Sequence, residues 1–107
     1  MNARYIKEIQ EYIKNSSYKA PEQLDVWDFA NYIFNICKKA ETKSGKKYKI
    51  VDKIISAIDQ IIPQTNKQIS ELSKEISDKN ELLEEALCIS YDARVKLSVA
   101  INKIVGN

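Results

Sequence analysis

A single heptad register runs through the chain from Tyr48 to Ile104. Its a positions are Tyr48, Ile55, Ile62, Ile69, Ile76, Leu83, Ser90, Leu97 and Ile104, and its d positions are Val51, Ile58, Thr65, Leu72, Lys79, Ala86, Ala93 and Ala100. Only Ser90, Thr65 and Lys79 among them are polar, although just 44% of the chain is hydrophobic. Apolar residues repeating every 3.5 positions form a seam along one side of a helix, and such a seam has to be covered by another helix. Two glycines and two prolines in 107 residues leave little material for the tight turns of a β-sandwich or barrel. The expected fold is therefore all-α: one domain over residues 1–107, a bundle of four helices, or five if the C-terminal segment breaks.

The remaining segments fit the same class. Tyr5, Ile6, Ile9, Tyr12 and Ile13 share one side of a predicted helix from Arg4 to Asn15. Asn15, Ser16 and Ser17 compete with helical backbone, and Pro21 disfavours helix at Ala20, so a connector follows. From Leu24 to Ala40 the polar residues form only a narrow stripe, which predicts a central helix with Trp27 and Phe34 in the core. A half of a dimer interface is the alternative. Glu41 to Lys49, around Gly45, reads as a loop. A third helix from Ile50 is expected to stop near Ile62, ahead of Pro63, with Thr65 and Gln68 forming a capping box for the next. That last helix is predicted to run unbroken from about Thr65 to Val105, although Asp78 and Glu81 could cap a fresh helix after a break at Ser77 to Asn80. Ala86, Ala93 and Ala100 permit close helix packing, or serve simply as good helix formers.

An unbroken helix of that length would span about 60 Å, against about 18 Å for the first helix. Self-association as a homodimer is the expected remedy, through Ile69, Leu72, Ile76, Leu83, Ala86, Ala93, Leu97, Ala100 and Ile104.

Catalysis has little to work with. There is no histidine, which removes the commonest general acid-base group and transition-metal ligand. The cysteines Cys37 and Cys88 are expected to be buried, reduced thiols, with a disulfide between them as the alternative. No phosphate-binding glycine loop or nucleophile elbow is present. Asp25 and Asp28 lie one turn apart, where negative charge favours a helix N-terminus. No catalytic, metal or cofactor-binding residue is expected, and the chain reads as a non-enzyme.

Charge is more informative. Between residues 38 and 53 seven lysines face only Glu41 and Asp52, whereas between 71 and 92 seven carboxylates face only Lys74 and Lys79. The overall charge of +2 conceals a dipolar chain. Such a pattern steers partners, promotes self-association, or merely solvates two faces. Lys38, Lys39, Lys43, Lys46, Lys47, Tyr48 and Lys49 form the candidate partner-binding cluster.

The leading functional expectation is a protein–protein interaction module, a small adaptor, inhibitor or regulator of a bacterium or phage. In its size, lack of cysteine bridges, helical pattern and lysine-rich turn Cys37-Lys38-Lys39-Ala40-Glu41 leading to Ile50 through Ile62, the chain resembles the enterocin-type bacteriocin immunity proteins. That resemblance implies a four-helix bundle with an immunity role. Nucleic-acid binding through Lys38 to Lys53 is the lesser reading, because Arg4 and Arg94 are the only arginines. No stretch reaches the roughly 20 apolar residues of a membrane span, and the first residues lack a secretory apolar region. A cytoplasmic location is expected.

Overall fold

The computed structural model describes residues 1–106. Four helices follow one another, α1 (Ala3–Ser16), α2 (Val26–Ser44), α3 (Lys49–Glu75) and α4 (Lys79–Val105), with no strand among the described residues. Their ends follow local chemistry. The Asn2 side chain accepts from the Arg4 N–H, and the Asp25 carboxylate caps α2 by accepting from the Asp28 N–H at 2.8 Å. Asp25 thus stands outside α2 and Asp28 in its first turn, which accounts for the pair as helix-starting residues. Gly45 ends α2 at φ 69°, a left-handed conformation that glycine adopts without strain.

The expected loop at Glu41 shrinks accordingly. Helix α2 continues to Ser44, and the Glu41 carboxylate reaches over the turn to accept from the Tyr48 N–H at 3.1 Å. The lysine-rich segment from Cys37 to Glu41 is helix, not turn.

Two sequence expectations about the C-terminal half are overturned. Helix α3 does not stop at Pro63 but passes through it to Glu75. Thr65, expected as a cap, is buried in mid-helix and its hydroxyl donates to the Ile61 carbonyl at 2.8 Å. Proline costs one backbone bond, and the apolar seam on either side outweighs that local loss. The expected continuous helix from Thr65 to Val105 is broken where the local chemistry allowed it. The Asp78 carboxylate accepts from the Asn80 and Glu81 N–H groups at 2.8 and 3.3 Å and starts α4. The heptad seam folds back on itself, so α3 covers α4 within one chain.

The core lies where all four helices meet. Phe29, Ile9, Ile33, Ile54, Leu97 and Ile101 are its largest fully buried side chains, each contributing about 1.5–3 kcal/mol of apolar transfer. Trp27 and Phe34 are only half-buried, so Phe29 takes the place expected of them. The Trp27 indole N–H donates to the Asn66 side chain at 2.7 Å, and Lys38 lies over the Phe34 ring.

Lengths decide the overall shape. At 1.5 Å per residue α3 and α4 are each about 40 Å long, α2 about 28 Å and α1 about 21 Å. The start of α2 is pinned beside the hairpin: the Val26 N–H donates to the Ser90 hydroxyl at 3.1 Å and Trp27 holds Asn66. Beyond that level no residue from 66 to 89 is buried. The distal half of the hairpin is therefore a two-helix arm, in a molecule measuring 49 × 25 × 21 Å.

Candidate functional site

The antiparallel course of α2, α3 and α4 sends the charges to opposite ends. The lysine cluster surrounds the turn at Gly45, at the end away from the arm. Lys38, Lys39, Lys43, Lys46, Lys47 and Lys49 are exposed there, and Tyr48 is half-buried against the core. The Lys38 ammonium lies 3.8 Å from the Glu41 carboxylate, whose other oxygen holds the turn. Of the predicted partner-binding residues, Lys38, Lys46 and Lys47 line one shallow depression at the turn, whereas Lys39 faces Arg4, Lys7, Glu8 and Glu11 of α1. Glu41 was not among the predicted residues, yet it is what fixes the turn's shape.

The nine residues predicted for self-association are not brought together on one outer face. Leu97 and Ala93 are buried inside the single chain. Ile69, Leu72, Ile76, Ala86, Ala100 and Ile104 are half-buried, and Leu83 is 60% exposed on the arm. The buried row of α4 is Ser90, Ala93, Arg94, Leu97, Ile101 and Val105. A straight helix turns away from a 3.5-residue register by about 20° per heptad, which moves Ile101 and Val105 inward.

Arg94 locks that row to the rest of the fold. Its guanidinium is buried, donates to the Leu24 carbonyl at 2.8 Å and to the Lys19 carbonyl at 3.2 Å, and lies 5.1 Å from the Tyr91 ring centre. Among the described residues no carboxylate pairs with it, and backbone carbonyls of the α1–α2 connector accept its hydrogen bonds instead. The sequence marks this position only as one of two arginines.

Two surface features escaped the heptad reading. The first is a row on α4 spaced strictly by four: Leu83, Leu87, Tyr91, Val95 and Val99. Tyr91, Val95 and Val99 are 39%, 44% and 49% exposed, and with Ile13 of α1 they line an open groove. Helix α4 is therefore apolar on two sides, one turned into the core and one outward. The second is a groove of about 380 Å³ between α3 and α4 on another side of α4, with Ile61, Leu72, Ile89 and Ala93 on its floor and Glu71, Glu75 and Asp92 along its edges. The i+4 repeat of the first was legible in the sequence. The second required the hairpin.

Of the two cysteines, Cys37 is buried as expected, but Cys88 is exposed, and the two are not bonded. Burial pushes the Cys37 thiol up to about 11, with the Glu41 carboxylate adding to the rise and Lys38 opposing it. Among the described residues no group of three or more cysteines and carboxylates is placed to hold a metal ion, and no helix is long and apolar enough to cross a membrane. Compared with protein-family models, curated proteins and solved structures, the chain finds no match in any of the three.

Proposed function

We propose that this protein acts by contact, as a helical protein–protein interaction module that pairs with a second copy of itself through the outer row of α4. The observation that carries the reading is the second apolar side of α4. A helix apolar on opposite sides is normally covered on both, and here Tyr91, Val95 and Val99 remain open. Rows spaced by four on two identical helices interdigitate at about −50°, the commonest crossing in globular proteins. A row that fits its own copy is self-complementary, as a two-fold interface requires. Charge supports an antiparallel crossing: Glu81, Glu84 and Glu85 occupy the early part of α4, and Lys96 and Lys103 its later part.

The test is mass in solution. Light scattering or sedimentation at tens of micromolar is expected to give twice the 12.3 kDa of one chain, and Val95→Lys to return it to a monomer while its melting curve stays put, since the site is exposed. A native monomer at several hundred micromolar would refute the pairing.

A further inference from the structure

From the groove between α3 and α4 we infer a second docking surface, one that takes a basic amphipathic helix from another protein. It shares with the proposed function only the premise that the protein works by contact, and it does not depend on pairing through α4. Two residues along a helix are about 200° apart around it, so Ile89 and Ala93, on the groove floor, face away from Tyr91 and Val95.

The groove has the form a third helix needs. It follows α3 from Ile61 to Glu75, about 21 Å or four turns. Beyond Asn66 the hairpin lacks α1 and α2 for cover, and Leu72 and Ile89 are only half-buried. Ala93 and Thr65, both short and both buried, leave depth between the helices for an inserted side chain. An apolar face placed there would turn the two-helix arm into a three-helix coil, the helix-in-groove mode of recognition.

Charge selects the kind of helix. Glu71 and Glu75, one turn apart, edge the groove on the α3 side, and Asp92 edges it on the α4 side with Lys96 as the single cation. None of the three carboxylates makes an ion pair or hydrogen bond among the described residues. The surrounding arm is acidic as well, so it attracts a cationic helix before contact and repels an acidic one. The lysine cluster of the same chain lies at the opposite end and cannot fold back to fill the site.

The probe is a synthetic 18-residue helix of leucine and lysine with one apolar face, followed by fluorescence anisotropy, with its leucine and glutamate counterpart as control. The lysine helix is expected to bind at least tenfold more tightly than the glutamate helix. Glu71→Gln with Glu75→Gln should weaken it about tenfold, and Leu72→Ser with Ile89→Ser should do the same at high salt, where simple attraction is screened. Glu84→Gln with Glu85→Gln removes as much charge from outside the groove and should leave binding unchanged, as should Val95→Lys on the outer row. If the Glu84 and Glu85 pair matters as much as the Glu71 and Glu75 pair, the arm is merely an acidic surface and the inference fails. Loss of binding in Val95→Lys alone would place the helix on the outer row and overturn the groove. Salt-sensitive head-to-tail association of the protein itself, abolished by Glu71→Gln with Glu75→Gln, would make the occupant the lysine end of a second copy and overturn the choice of partner.

Discussion

Replacing Arg94 by methionine tests how the α1–α2 connector is held. The native guanidinium donates to the Leu24 and Lys19 carbonyls at 2.8 and 3.2 Å from a buried position. Hydrogen bonds from a charged donor are worth about 1.5–3 kcal/mol each. Two corrections lower their sum: methionine recovers the dehydration cost of a buried cation, and Lys19, being exposed, can turn its carbonyl to water. The net cost of Arg94→Met is then about 2 kcal/mol, or a fall of roughly 8–12 °C in melting temperature for a domain of this size. A sharper readout is the Lys19–Ala20 bond itself, a trypsin site whose carbonyl Arg94 holds. If cleavage follows local opening, 2 kcal/mol corresponds to about 30-fold faster cutting there, measured by mass spectrometry under native conditions. Arg94→Lys, reaching one carbonyl at most, should fall in between. An Arg94→Met protein with native stability and native cleavage at Lys19 would refute the reasoning and show that the connector is held by its own turn at Ala20 to Gln23.

Pro63→Ala restores an N–H for the Asp59 carbonyl in mid-α3 at an exposed position, and a gain of about 1–3 kcal/mol in urea unfolding is expected. At pH 8 iodoacetamide should label Cys88 and spare Cys37 until denaturant is added. The Cys37 thiol ionises near 9 when unfolded and near 11 when folded. Its contribution to stability is therefore complete below pH 9 and declines by about 1.4 kcal/mol per pH unit up to 11, a loss that Cys37→Ala should remove from the pH profile of unfolding. Lys43→Glu with Lys46→Glu and Lys47→Glu should leave thermal unfolding within about 0.5 kcal/mol, because all three are exposed. Salt-sensitive binding of mixed-sequence DNA by the native protein, lost in that variant, would bring the nucleic-acid reading forward.

Helical class, the absence of strands among the described residues and a turn at Gly45 were legible from residue types and spacing, whereas the lysine-rich segment before that turn is helix. The helix ends at Asp25, Gly45 and Asp78 followed chemistry that acts within a few residues, and Asp78 with Glu81 had already marked the point where α4 begins. The failures share one cause. The local cost of Pro63 is visible in the sequence and predicts a stop, whereas the packing that carries α3 past it is not. An unbroken heptad register predicts an unbroken helix, but an antiparallel hairpin also keeps one apolar seam on both arms with the seams facing each other.

The sequence alone determined that this chain would be helical, where its charges would concentrate, and which residues would be apolar. Those properties depend on 3.6-residue periodicity and on composition, both local. Only the tertiary structure decided which apolar residues are spent on the core and which remain outside. Leu83 and Leu97 occupy equivalent heptad positions, yet Leu97 is fully buried and Leu83 is 60% exposed. The difference lies not in either residue but in α1 and α2, which are too short to reach the arm.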